Sequence, residues 1–198
     1  MFKSVFVKYM VCFLLIFAVS FSVLFFIFVG TVSTNERTNS VTHAAESVKV
    51  MVDRAYAVYI GDGVVRDYFS FINDERESLE VQISGIADCT NTVIFIANPN
   101  GNISVCSSGS KLRNKSVPGF IMNNVLTSDQ AYTFVGEVEG LFDEEYCLKA
   151  IELSTGDNHG IVVAATPMNV MSSFVAGMIG TMSRIATLVL IAGMIGCY

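Results

Sequence analysis

An uninterrupted run of 27 uncharged residues, Tyr9 to Asn35, stands near the N-terminus. Its apolar part, Tyr9 to Val29, has 21 residues, and about 20 are needed for a helix to cross the hydrocarbon core of a bilayer. A cleaved signal peptide has a shorter apolar stretch followed by a small-residue cleavage site, and Phe28-Val29-Gly30-Thr31 offers none. The run therefore predicts an uncleaved transmembrane helix within a first segment, residues 1–31.

Charge places the following residues on the far side of that membrane. Lys3 and Lys8 precede the apolar run and no acidic residue does, so the positive-inside rule keeps the N-terminus in the cytoplasm. The exported part, residues 32–183, holds all 18 acidic residues and nine of the 12 basic ones. An exported domain with net negative charge is a poor candidate for binding nucleic acid or anionic lipid, so the lipid bilayer is expected as a partner only through the membrane-spanning runs.

A second apolar region lies near the C-terminus. Gly160 to Ser183 carries no charge, Arg184 follows, and Ile185 to Tyr198 is again uncharged. An arginine at the centre of a membrane helix costs about 2.5–3.5 kcal/mol, so we expect Arg184 at the outer interface and a second pass that begins after it. Only 14 residues then remain, about six fewer than a span needs. Residues 168–198 are therefore predicted to be a juxtamembrane helix and a truncated second transmembrane helix of a two-pass cell-membrane protein.

In the segment between the two apolar runs, the residue pattern predicts three helices. Thr42 to Val58 has apolar residues at helical spacing, and no proline separates it from the first run, so one helix is expected to continue to about residue 60. A second helical pattern covers 64–84 and is expected to end at Ser84-Gly85. Pro118 to Leu126 predicts a short helix with proline in its first turn.

The same part of the chain also predicts five strands. Asn98-Pro99-Asn100-Gly101 lies between two β-branched and aromatic runs, which indicates a hairpin. The continuously apolar Ile161-Val-Val-Ala-Ala165 predicts a central strand buried on both faces. For residues 32–167 we expect an α+β fold, a five-stranded antiparallel sheet with long N-terminal helices, flanked by transmembrane helices. The predicted strands are Thr92 to Ala97, Asn102 to Cys106, Ala131 to Gly136, Glu144 to Leu153 and Ile161 to Thr166.

Three of these segments resemble an extracytoplasmic PAS-like, or Cache, sensor domain. Val93-Ile-Phe-Ile-Ala-Asn-Pro-Asn-Gly-Asn-Ile-Ser-Val-Cys-Ser-Ser108 resembles the first hairpin of that family, Ser116 to Met122 the loop and short helix that follow, and Gly160 to Met168 the last strand. In this order, between two membrane runs, they resemble the N-terminal input region of a bacterial membrane-bound sensor histidine kinase. The resemblance implies a PAS-like sheet that senses an unknown extracellular stimulus or small ligand. It also implies HAMP and kinase domains after these residues, and a response regulator that binds only that missing kinase part.

Other classes of protein stay open on the sequence. The same input design precedes chemoreceptor and cyclic-dinucleotide-synthase modules, and a membrane-tethered extracytoplasmic enzyme is a further alternative. No catalytic motif supports an enzyme within this chain. His43 begins His-Ala-Ala-Glu-Ser rather than the His-Glu-Leu-Arg-Thr-Pro of a phosphoacceptor box, and Asp143-Glu144-Glu145 is expected to be a solvated turn. We assign no catalytic residue and no cofactor.

The cysteines and histidines form no metal-ligand pattern in the sequence. There is no Cys-x-x-Cys, and His43 and His159 have no close partner along the chain. Cys89, Cys106 and Cys147 are exported, so at most one disulfide can form among them, and its pairing is left open.

The sequence predicts where a ligand would bind but not which ligand. A pocket is expected between the sheet and the segment Pro118 to Leu126. Tyr132, Phe134, Tyr146 and Arg113 are its possible liners, and the ligand-binding residues stay unknown.

The apolar stripe of Thr42 to Val58 has two interpretations. It is broad enough to pack against a second copy, which makes a homodimer the expected state. The other interpretation is that the stripe covers the sheet of its own chain.

Overall fold

The computed structural model describes residues 2–61, 67–107, 112–128, 131–155, 158–169 and 173–196. The chain divides into two compact units. One contains residues 37–170, and the other contains residues 1–36 together with 171–198. Residues 62–66, which include the expected start of the second helix at 64, and the cysteine at position 197 lie outside the described residues.

The first helix, α1, runs from Phe2 to Gly61 without interruption, as the absence of proline predicted. Large apolar side chains such as Phe13 and Leu24 are exposed in its N-terminal part. Within the described part of the chain, α1 alone is long and apolar enough to cross a membrane, judged by length and composition.

Two helices follow α1 where one was predicted. α2 runs from Tyr68 to Asp74 and α3 from Arg76 to Thr90, with a break at Glu75. The prediction that a helix ends at Ser84-Gly85 is wrong. The Ser84 hydroxyl donates to the Glu80 carbonyl oxygen at 2.7 Å within the helix, and a glycine costs a helix interior only about 1 kcal/mol. α3 ends instead at Asn91, whose φ of 52° is the left-handed conformation that closes helices.

The five predicted strands are confirmed, with shifts at their ends. The Asn98 carboxamide oxygen accepts hydrogen bonds from the backbone N–H groups of Asn100 and Asn102, both at 3.0 Å, and these close the first hairpin. The predicted short helix, α4, runs from Gly119 to Ser128. The strands are β1 from Val93 to Ala97, β2 from Ile103 to Cys106, β3 from Tyr132 to Glu137, β4 from Glu145 to Thr155 and β5 from Asn158 to Pro167.

The strands form one antiparallel sheet in the order β2-β1-β5-β4-β3. The helices α1, α2 and α3 pack on one face, called the helical face, and α4 packs on the other, called the α4 face. Side chains alternate between the faces, so Ile94 belongs to the helical face and Phe95 to the α4 face. β5 is central and residues 160–166 are all buried, as predicted. The domain is α+β, with an open five-stranded antiparallel sheet and a long N-terminal helix, consistent with a PAS-like fold.

The apolar stripe of α1 packs against the sheet of its own chain, which is the second of the two interpretations above. Its five central side chains are fully buried in the cluster that holds Ile94, Ile96 and Val162 of the sheet. This stripe is therefore not available to a second copy. The five side chains are Val41, Ala44, Ala45, Val48 and Val52.

The last described helix, α5, runs from Ser173 to Gly196. It begins after the predicted Met168, because Met168 and Asn169 form a bend, and it continues through Arg184. Arginine is a good helix former and the Arg184 side chain is exposed, so neither propensity nor burial ends the helix at that residue.

Candidate functional site

Three of the four predicted pocket liners lie together on the α4 face. Tyr132 and Phe134 of β3 and Tyr146 of β4 are half-buried against its apolar cluster. Phe134 meets the ring of Phe120 at a centroid distance of 5.4 Å, and Tyr146 stacks on Phe142 at 3.9 Å. The face therefore presents half-buried aromatic rings, which suit an apolar or aromatic ligand.

Side chains of the domain itself fill the centre of the α4 face. α4 contributes Ile121, Met122 and Val125, all buried. The turn before β4 adds Leu141, whose carbonyl oxygen accepts a hydrogen bond from Lys115 Nζ at 2.9 Å. That bond already engages the lysine ammonium, so a ligand on this face would meet mainly apolar and aromatic groups.

Arg113, the fourth predicted liner, lies elsewhere. Its guanidinium binds the Glu80 carboxylate of α3 at 2.8 Å, while the neighbouring Leu112 is buried in the cluster of the α4 face. Adjacent residues 112 and 113 therefore contact elements on opposite faces of the sheet. Partial burial by itself raises the pKa of the Glu80 carboxyl, but hydrogen bonds and charges from Arg113 and Arg76 outweigh it and lower that pKa.

The chain enters and leaves the 37–170 unit at one place. Arg37 Nη1 of α1 lies 3.8 Å from Met168 Sδ, just after β5. The backbone N–H of Met168 donates to the Glu145 carbonyl oxygen at 2.8 Å, and the Asn169 carboxamide donates to the Glu144 carboxylate. The start of the domain, its end and the first residue of β4 are thus joined by direct contacts. The acidic turn at 143–145 is exposed, as expected for a solvated run.

No disulfide joins Cys89, Cys106 and Cys147, the three cysteines of the described 37–170 unit. Cys106 belongs to the α4 face and Cys147 to the helical face, so the sheet separates them. Burial raises the pKa of the Cys147 thiol, and a hydrogen bond with Thr38 only partly offsets this. Cys89, on α3, is exposed. The thiol that a reagent reaches in this unit is therefore Cys89.

A groove that the sequence did not predict runs between α1 and the α2–α3 pair on the outer side of the helical layer. Its volume is about 900 Å³. Tyr59, Phe71 and Leu79 give it apolar walls, and the Tyr59 and Phe71 rings lie 5.0 Å apart. The Tyr59 hydroxyl also donates to an Asp74 carboxylate oxygen at 3.1 Å.

The groove carries charge on both walls. Glu46 and Arg54 stand on α1, and Glu75 stands at the α2–α3 break. Within the described residues, neither Arg54 nor Glu75 forms an ion pair. Apolar walls with charged groups at the margin are the arrangement found at protein interfaces.

The signal for this groove was in the sequence, on the side of α1 away from the buried stripe. Val50, Arg54 and Val58 repeat at a spacing of four and so share one helix face. That α3 packs beside this face depends on the tertiary fold, which helical periodicity does not encode.

The fold brings His159 next to an acidic side chain, although no such partner is close to it along the sequence. Its Nδ1 lies 2.6 Å from Glu152 Oε1, across the β4–β5 pair. Among the residues that the structure describes, no group of three or more His, Cys, Asp or Glu side chains could hold a metal ion.

No protein-family model and no curated protein matches the chain. Among solved structures, it is similar to the cofactor-binding GAF domain of the nutrient sensor CodY from Clostridium difficile, with 14% identity and a TM-score of 0.32. The similarity covers 56% of this chain and 80% of that one. Similarity at this level assigns neither a fold nor a ligand.

Proposed function

We propose that this chain is the extracytoplasmic sensing and membrane-crossing part of a bacterial sensor histidine kinase. The observation that carries the proposal is the contact of Arg37 with Met168, which makes the chain enter and leave the PAS-like domain side by side. This arrangement suits a domain exported between two membrane passes, because both flanking segments then leave it at the same place. The long apolar helix α1 and the apolar composition of α5 supply the two passes, with residues 32–183 outside the cell.

Signalling in such a protein requires two arrangements of the domain that the stimulus stabilises unequally. A ligand on the α4 face contacts β3, β4 and α4, and β4 holds Met168 through Glu145. A displacement of β4 would therefore move Met168 against Arg37 and reach both membrane segments. The coupling needs only about 1–3 kcal/mol to change the output 5- to 150-fold.

Labelling of a native cysteine in intact cells tests the export of the domain. A membrane-impermeant maleimide added outside should label the chain through exposed Cys89, and the matched variant Cys89→Ser should lose the label. Buried Cys106 and Cys147 should stay unlabelled. Labelling of Cys89 only after the membrane is permeabilised would contradict the proposal.

The output class is tested by the reading frame after Tyr198. A HAMP-like segment followed by His-Glu-x-x-Thr-Pro is the expected result for a kinase. A long uninterrupted heptad run would assign the input domain to a chemoreceptor instead, and an immediate stop codon would remove the kinase assignment.

A further inference from the structure

Met168 lies at the junction where the chain enters and leaves the 37–170 unit, and its thioether faces a cation. Its Sδ is 3.8 Å from Arg37 Nη1 of α1, while its backbone N–H donates to the Glu145 carbonyl oxygen at 2.8 Å. The main chain at Met168 is therefore held to β4, and the side chain contacts the start of the domain. A thioether sulfur is only a weak hydrogen-bond acceptor, so the contact with the guanidinium is a weak one.

A small open cleft makes the same side chain accessible from solvent. Its volume is about 270 Å³, and Glu144, Glu145, Met168 and Asn169 line it. Met168 is half-buried, and both glutamates are exposed. The two carboxylates give the cleft a negative charge, which repels anionic reagents and does not act on uncharged ones. A small uncharged molecule therefore has access to Met168.

A thioether in such a place is open to oxidation by a peroxide. The sulfur donates an electron pair to one oxygen of hydrogen peroxide, the O–O bond breaks, and the other oxygen leaves as hydroxide. Transfer of the remaining proton to the hydroxide gives methionine sulfoxide and water. The sulfur is oxidised and the peroxide is reduced by the same electron pair. The reaction converts an apolar side chain into a polar one, and methionine sulfoxide reductases reverse it.

We propose that Met168 is an oxidation site, and that the oxygen of its sulfoxide accepts a hydrogen bond from the Arg37 guanidinium. The present separation of Sδ from Nη1 leaves room for an oxygen on the sulfur to come within the ~2.7–3.2 Å of an N–H···O hydrogen bond. A hydrogen bond from a charged donor is stronger than one between neutral groups. Oxidation therefore tightens the contact between the start and the end of the domain.

The consequence for signalling follows from the place of this contact. The same contact joins the two ends of the domain to its flanking segments, so a peroxide that tightens it would stabilise one arrangement of the domain over another. Peroxide as a stimulus from outside the cell rests on the proposed function. The modification of Met168 and its bond to Arg37 do not.

Peptide mass spectrometry tests the reactivity of the site. The full chain in detergent micelles is exposed briefly to hydrogen peroxide, and the oxygen gained at each methionine is measured over time. Met122 is the internal control, because it is only 5% exposed in the cluster of the α4 face. Met168 should be oxidised about tenfold faster than Met122 or more, and methionine sulfoxide reductases should reverse the change. Equal rates at the two residues would overturn the proposal.

Thermal unfolding tests the bond to Arg37, in a Cys12→Ser, Cys89→Ser background that removes the exposed thiols. Peroxide should raise the unfolding temperature of this protein by about 2–4 °C, as expected for one added hydrogen bond in a chain of this size. Met168→Leu and Arg37→Gln, each compared with its own untreated form, should lose the rise. A rise of the same size in Met168→Leu, or a fall in the parent protein that Met168→Leu does not show, would overturn the proposal.

A variant that needs no peroxide supplies an independent readout. Met168→Gln places a carbonyl oxygen near the position of the sulfoxide oxygen, so it should unfold at a higher temperature than Met168→Leu. That difference should disappear when both changes are made in Arg37→Gln, and its persistence there would overturn the bond to Arg37. Failure of these tests leaves the export test with Cys89 unaffected, so the two proposals are tested separately.

Discussion

Lys49 of α1 donates a hydrogen bond from Nζ to the main-chain carbonyl oxygen of Glu152 in β4, at 2.7 Å. The Glu152 side chain in turn binds His159 of β5 at 2.6 Å. One residue of the sheet therefore connects the long helix to two neighbouring strands. Apolar packing of the stripe holds α1 on the sheet but is not directional. The hydrogen bond from Lys49 is directional, and it fixes the position of the helix along the sheet.

Replacing Lys49 by methionine should test the strength of that connection. The change keeps the length of the side chain and removes a charged donor, so the free energy of unfolding should fall by about 1.5–3 kcal/mol. Urea denaturation of the full chain in detergent measures it. The matched control is Lys149→Met, whose ammonium bonds the exposed Thr133 hydroxyl at 2.9 Å. Equal losses of unfolding free energy in the two variants would show that the Lys49 hydrogen bond stabilises the fold no more than an exposed one does.

Tyr68 should make the domain sensitive to alkaline pH. Burial raises the pKa of its phenol, and the Asp53 carboxylate, which accepts its hydrogen bond at 3.3 Å, raises it further. The unfolded state ionises near pH 10 and the folded state resists ionisation, so this stability is complete below about pH 10 and is lost as the pH rises above it.

The variant Tyr68→Phe tests that dependence. It should unfold about 1 kcal/mol more easily at neutral pH, since a buried hydrogen bond is lost. Its stability should fall less steeply than that of the wild type between pH 10 and 11. Thermal unfolding across that range provides the measurement, and parallel slopes for the two proteins would contradict the assignment.

The ion pair of Arg113 with Glu80 should matter mainly through pH. The pKa of the Glu80 carboxyl is lower in the folded state than in the unfolded state. The ion pair therefore stabilises the fold fully above the ordinary carboxyl pKa of about 4.3, and this stabilisation is lost as the pH falls through the lower folded-state pKa. Because the pair is partly exposed, Glu80→Gln should cost only about 0.2–1 kcal/mol at pH 7. The difference from wild type should shrink as the pH falls below about 4.3, and Glu139→Gln, in an exposed turn, is the matched control.

The elements that were predicted correctly are those whose signals lie within a few neighbouring residues. The continuously apolar Ile161 to Ala165 indicated the central strand, and the Asn98 to Gly101 turn indicated the hairpin, because each signal lies within a few residues. The aromatic residues Tyr132, Phe134 and Tyr146 were expected as liners of a pocket beside Pro118 to Leu126, and they do pack against the apolar cluster of the α4 face.

Tertiary contacts decided what the sequence did not predict. Arg113 was expected beside α4, but its guanidinium binds Glu80 of α3, a residue 33 positions away. Periodicity places Val50, Arg54 and Val58 on a second face of α1, but the packing of α3 beside that face, which forms the groove, depends on the tertiary fold. The break at Glu75 and the continuation of α3 through Gly85 carry no proline or cap signal that would have marked them.

Two glycines provide the sharpest contrast between packing and propensity. A β-carbon at Gly160, in β5, would overlap the ring of Phe69 and lie 2.7 Å from the Ala97 carbonyl oxygen. The main-chain oxygen cannot move without disturbing β1, so Gly160→Ala should destabilise the domain by about 1–3 kcal/mol. At Gly85 nothing lies within 4 Å of the added carbon, and the residue is inside α3, so Gly85→Ala should stabilise by about 0.5–1 kcal/mol. Thermal unfolding of both variants measures the two changes in stability. If Gly160→Ala unfolds at the same temperature as the wild type, α2 does not hold Phe69 against β5.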